Sequence, residues 1–120
     1  MIIAGQKVTR DEYIINLKRQ SILSQKLDQF FGNYDFLLTL STSGEAPEGE
    51  HTMNDRDNIL IWTMCGVPII NIPLFVGPKG LPFGIQLIAK RYDDLSLINA
   101  VNLLKTQGLI PEGSNPIVTY

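Results

Sequence analysis

Cysteine is almost absent: Cys65 is the only one in 120 residues. A single thiol cannot close an intrachain disulfide or build a cysteine-based zinc cluster. Basic charge is also in short supply. Ten Lys and Arg stand against twelve Asp and Glu, giving a formal net charge of −2 and a pI near 5.2. That balance leaves no electrostatic footprint for nucleic acid or an anionic membrane surface. Histidine occurs once, at His51. A general base needs an oriented partner and a nucleophile within reach, and nothing around His51 supplies them, so a surface or packing role is expected. Long apolar runs are missing too. The stretch from Ile59 to Phe75 is interrupted by Gly66, Pro68, Asn71 and Pro73, which excludes a clean membrane span. The N-terminus, Met1-Ile2-Ile3-Ala4-Gly5-Gln6, has no basic region ahead of a long apolar run. It does not read as a secretory signal, and the cytoplasm is the expected location.

What is present suits a globular chain. Hydrophobic residues make up 44% and charged residues 18%, and the length fits one domain over residues 1–120. Thr9-Arg10-Asp11-Glu12 has the spacing of a capping box. Apolar residues recur from Tyr13 to Phe31 at mostly helical steps. A long helix is expected over Arg10 to Phe31, stopped by Gly32-Asn33 through a residue tolerant of positive φ. Phe36 to Leu40 reads as a short buried strand. Ser41 to Glu50 has loop chemistry throughout. A short helix is expected from Arg56 to Cys65, ending at Gly66. Two strands follow, Ile69 to Phe75 and Phe83 to Ala89, joined by a turn-rich segment that favours an antiparallel hairpin. Asp93-Asp94 opens a C-terminal helix with acid at its positive end. Gly108 and Pro111 close it, and an irregular tail is expected from Glu112 to Tyr120.

The fold expected is therefore α/β: a small mixed three-stranded sheet with a β-hairpin, a long N-terminal helix and a C-terminal helix. Alternation places Ile70, Ile72 and Leu74 on one face of their strand, and Ile69, Asn71, Pro73 and Phe75 on the other. In the next strand Phe83, Ile85 and Leu87 share a face, while Ile88 lies beside Gly84 and Gln86. Neither strand has the polar face of a half-exposed sheet. Such strands want cover on both sides, more than three helices supply.

Several segments, in order, resemble the C-terminal region of the amidase-signature family. Val8-Thr9-Arg10-Asp11-Glu12-Tyr13 is similar to the "vsaedY" start of its long helix. Tyr34-Asp35-Phe36-Leu37-Leu38-Thr39 resembles its "yDvLLtP" strand, and Ala46-Pro47 the "AP" that follows. Trp62 to Pro68 resembles "WtllGvPa". Leu81 to Ile88 resembles "LPvGlQlig", with Asp93-Asp94 as the acid pair opening the next helix. Leu40 and Ser41 depart from the usual proline. Met53-Asn54-Asp55-Arg56 departs from the "TGDP"-like stretch that borders the substrate pocket. The resemblance makes Asp57 and Trp62 the substrate-pocket candidates.

The resemblance also implies amide hydrolysis by a Ser-Ser-Lys triad with glycine-supplied oxyanion donors. That machinery lies upstream of the matching region, so no catalytic residue is assigned here. Ser41-Thr42-Ser43-Gly44 is its nearest imitation and reads as loop composition. Other candidates have plainer readings. Glu45, Glu48, Glu50, Asp55 and Asp57 could gather a hard cation, yet lack EF-hand spacing and read as a solvated loop. Cys65 reads as a small core residue. Trp62 either packs on the Ile69 to Phe75 strand or lines a pocket. Gly77 and Gly80 make no phosphate loop. No metal or cofactor is expected. The leading expectation is a non-catalytic amidase-signature piece that covers its sheet by self-association. The alternatives are a split amidase completed by a separate N-terminal half and a small-ligand binding module.

Overall fold

The long N-terminal helix begins where its cap dictates. In this computed structural model, which describes residues 5–49 and 57–110, α1 runs Arg10–Phe30. The Glu12 amide donates to Thr9 Oγ1 at 3.3 Å, and the Thr9 amide donates to Glu12 Oε2 at 2.8 Å. These bonds satisfy two of the orphan donors at a helix start. The far end differs from expectation. Gly32 is not among the positive-φ residues. The helix instead tightens into a 3-10 turn over Phe31–Asn33, which serves its last carbonyls without a left-handed residue.

Strand β1 (Phe36–Leu40) follows, then helix α2 (Asp57–Cys65), strands β2 (Ile69–Val76) and β3 (Pro82–Ala89), and helix α3 (Asp94–Thr106). The α/β class, the hairpin and both flanking helices are as expected. The sheet order is β1-β3-β2. Both pairings are antiparallel, so the sheet is antiparallel throughout, and in that one respect the expected mixed sheet is corrected. The reason is topological. β1 and β2 run the same way but never pair, because β3 returns from the hairpin and slots between them. The register shifts between Pro73 and Phe75, where proline has no amide for the ladder.

Glycine ends the two later helices. Gly66 has φ 66° and Gly108 has φ 69°. Beyond them the Val67 amide donates to the Trp62 carbonyl and the Leu109 amide to that of Leu104, the six-to-one closure of a Schellman motif. Asp93 precedes α3 without a side-chain cap bond, and Asp94 lies in the first turn.

The core has two parts, one on each face of the sheet, as the strand alternation requires. Ile72, Leu87 and Ala89 pack with Leu97 of α3. Ile88 packs with Phe31, Cys65 and Val67 on the face covered by α1 and α2. Cys65 is a buried core thiol. Cover is incomplete. Leu38 and Leu40 of β1 are 61% and 50% exposed. Of the 21 residues of α1 only Ser24 is buried. The radius of gyration is 17.6 Å, against about 13 Å for a compact chain of this size. No described helix is long and apolar enough to cross a membrane.

Candidate functional site

A polar row crosses the face of the sheet on which α2 lies. Thr39 and Asn71 are the register partners of Gln86 on either side, so the three residues share one face. Gln86 is completely buried. Its Nε2 donates to Thr39 Oγ1 at 2.8 Å and to the Asn58 carbonyl at 2.6 Å. A carbonyl only accepts, so the carboxamide orientation is fixed by chemistry. Gln86 Oε1 is thereby turned away, and it finds no donor among the described residues.

Trp62 lies one turn beyond Asn58 on the same side of α2. Its ring packs against the cluster of Phe31, Cys65, Val67 and Ile88, as does Ile69 of β2. The indole Nε1 is buried, with no acceptor among the described residues. The tryptophan also lines an open cleft of about 320 Å³ with Thr39, Leu40, Asn58 and Ile61. Packing and pocket therefore coexist at Trp62. Asp57 is the first residue of α2; its side chain lies outside the described residues. So do Glu50, His51, the Met53–Arg56 stretch and the tail from Glu112. Sequence reasoning passed over Gln86. Its signal was a long polar side chain at an inward position of an otherwise apolar strand.

A second opening of about 420 Å³ lies farther along the sheet, between the loop after β1 and the β2–β3 hairpin. Asn71, Pro73 and Gly84 contribute to its lining, with Ser41 and Thr42. Ser41 Oγ donates to the Gly84 carbonyl at 2.8 Å, and Thr42 Oγ1 to the Gly44 carbonyl at 2.6 Å. Both hydroxyls spend their protons on backbone, so neither is poised as an activated nucleophile. Glu45 lies between two of the lining residues, Gly44 and Ala46. Its carboxylate accepts from the Lys79 amide at 3.0 Å and the Leu81 amide at 3.1 Å, and Glu48 pairs with Lys79 at 2.9 Å. These acidic residues hold the hairpin turn. Among the described residues no three His, Cys, Asp or Glu gather as metal ligands.

Elements remote in sequence are tied around this face. Gln20 Nε2 of α1 donates to the Met64 carbonyl at 2.6 Å, and Ser24 Oγ to the Cys65 carbonyl at 3.5 Å. Both serve the otherwise unpaired carbonyl end of α2. Asp28 accepts from Arg91 Nε at 3.0 Å and also from Nη2. The Arg91 hydrogen bond holds the Asp28 carboxyl below its ordinary value.

Known proteins share this fold. The sequence model described as Amidase matches residues 1–98. A mouse mitochondrial protein, one of the subunits that make up glutamyl-tRNA(Gln) amidotransferase, is 29% identical over 114 residues, covering 80% of this chain and 22% of that protein. Its counterpart from Pelagibacter ubique is 30% identical over 95 residues, covering 72% and 19%. This chain thus spans about a fifth of these relatives. A solved chain from a vestigial protein complex bearing on the origins of an s-triazine catabolic enzyme superposes with a TM-score of 0.74. It is 22% identical and covers 88% of this chain and 26% of that one. A 6-aminohexanoate cyclic dimer hydrolase superposes with a TM-score of 0.68 at 20% identity, with the same coverage. The solved structures share the fold, and the family model spans most of the sequence: the chain belongs to the amidase family, the amidase-signature enzymes.

Proposed function

We propose that these residues form the C-terminal part of an amide-hydrolysing unit, one wall of a substrate site whose serine nucleophile, serine relay and lysine come from an N-terminal part. One observation carries this reading: α1 exposes apolar side chains all round its axis. Tyr13, Ile14, Ile15, Leu17, Ile22 and Leu23 are all exposed, and at about 100° per residue they point in every direction. Polar residues stand between them, but a free surface helix gathers its apolar side chains on one buried stripe, and apolar side chains left open on every side are surface for a larger protein to cover.

Self-association is the rival explanation. A two-fold contact presents the same patch from both copies and covers that patch alone. Here the open apolar surface lies on opposite sides of the sheet. Leu38 and Leu40 are on the α3 side, and Leu60 of α2 points outward on the other. A larger embracing partner covers both. Two relatives are named as subunits of an amidotransferase, which favours work within an assembly.

The test is complementation. The chain is co-expressed with the N-terminal part of an amidase-family enzyme cut where the match to this chain begins. A stable one-to-one complex that releases ammonia from a simple carboxamide is expected, with no turnover from either piece alone. Failure to associate, or turnover by this chain alone that is lost when one of its own serines is replaced, would defeat the proposal.

A further inference from the structure

We propose that Gln86 is a positioning residue: it clamps the first turn of α2 to β1 and so sets the width of the Trp62 cleft. The inference rests on the amide-hydrolase reading for its catalytic consequence, but not for its geometry.

α2 is held at its two ends by different parts of the chain. Its C-terminal carbonyls, Met64 and Cys65, are bonded from α1 by Gln20 and Ser24. Among the described residues, the only side-chain hydrogen bond from the sheet to α2 is the one from Gln86 to the Asn58 carbonyl. The same Nε2 reaches Thr39 on β1. The cleft is lined by residues from these two elements: Thr39 and Leu40 from β1, and Asn58, Ile61 and Trp62 from α2. One carboxamide nitrogen therefore ties together the two elements that line it. Without it, α2 is free to pivot about the end that α1 holds, and the walls part.

Packing alone does not call for glutamine here. Gln86 is fully buried, and its Oε1 lacks a donor among the described residues, which is costly. A methionine of similar length would fill the space without an orphan acceptor. What glutamine alone adds is a two-pronged donor facing two elements at once. Among the described residues the side chains lining the cleft carry no charge, and this part of the wall suits a neutral group such as a carboxamide.

Trp62 is the chain's only tryptophan, so its fluorescence reports on α2 directly. In the 120-residue chain, Gln86→Met should keep the wild-type circular dichroism and melting temperature. Acrylamide quenching of Trp62 should rise about twofold, and amides of α2 should exchange about tenfold faster. Thr39→Val leaves the Asn58 bond in place and should loosen Trp62 by a smaller factor. In the complemented enzyme, Gln86→Met should raise KM for a neutral carboxamide about fivefold while kcat stays within about twofold. Wild-type quenching and exchange in Gln86→Met would overturn the clamp. If that variant does not fold, Thr39→Val decides, and unchanged quenching there overturns it equally. A wild-type pair without turnover would remove the amide-hydrolase reading, while quenching and exchange would still judge Gln86.

Discussion

Asp28 of α1 and Arg91, which follows β3, meet fork to fork across 63 positions of sequence. The pair is about one-quarter exposed on each side, so solvent screens it and its worth is about 0.5–1 kcal/mol. Arg91 depresses the Asp28 carboxyl below its ordinary value of 3.8. A depressed carboxylate contributes its full stability above the unfolded value and loses it as pH falls through the folded one. Urea melts should therefore show Asp28→Asn less stable than wild type at neutral pH, with the gap closing only at pH values below 3.8. A double-mutant cycle with Arg91→Gln should return a coupling energy in that same range of about 0.5–1 kcal/mol. A gap that persists undiminished at strongly acid pH would show that the asparagine acts through packing instead.

Gly77 leaves room for the Glu45 side chain. A Cβ placed on Gly77 would overlap Glu45 Cδ and Cβ, and Glu45 is the residue that accepts the turn amides of Lys79 and Leu81. Gly77→Ala should expel the carboxylate and cost about 1–2 kcal/mol, the range for a charge-assisted bond lost to partly exposed donors. Glu45→Ala should cost a similar amount. The double variant should cost no more than either one, because both remove the same contact. Additive losses in thermal melts would mean that the two residues act separately.

Tyr92 sits at φ 66° with 91% of its surface exposed. A bulky residue in the left-handed region is strained, and this side chain recovers little by packing. Tyr92→Gly should raise stability by about 0.5–1 kcal/mol, strain relief outweighing the added freedom of the unfolded glycine. Denaturant midpoints would read the change. A lower midpoint would assign Tyr92 a contact in a larger assembly.

Much of this is legible in the sequence, because local chemistry decides it. The capping box at Thr9, the stop at Gly66 and the hairpin between Ile69 and Ala89 each follow from residues close in sequence. Strand alternation also separates Ile72 from Ile69 and Leu87 from Ile88, and the register then joins Ile72 with Leu87 on one core face and Ile69 with Ile88 on the other. What alternation cannot encode is which strands pair. A mixed sheet would follow if β1 and β2, which run in the same direction, lay side by side. Only the insertion of β3 between them makes every ladder antiparallel. The end of α1 escapes prediction because glycine tolerates positive φ without requiring it. Of the site candidates, Trp62 is found through the family motif. Gln86 stands within the "LPvGlQlig" match, but its task is not legible there, because its partners Thr39 and Asn58 lie 47 and 28 positions away.

Leu38 and Leu40 test the proposed cover most directly. They lie on β1, which pairs only with β3 among the described residues, and they project to the α3 side of the sheet without being covered by it. Lysine at an exposed strand edge discourages further pairing. Leu38→Lys and Leu40→Lys remove exposed side chains, so the stability of the chain alone should move by no more than about 0.5 kcal/mol. Solubility should rise. Binding to an N-terminal amidase part should weaken about tenfold or more per leucine, since burying one contributes about 1.5–3 kcal/mol. Calorimetric titration would read this, and Leu109→Lys, an exposed residue beyond α3, provides a comparison at a different surface. Wild-type affinity in the Leu38 and Leu40 variants would place the covering surface elsewhere, with the exposed apolar residues of α1 the next to be probed. Weakening at Leu38 and Leu40 but not at Leu109 would locate the contact on the β1 side of the sheet, where the residues lining the Trp62 cleft include Thr39 and Leu40.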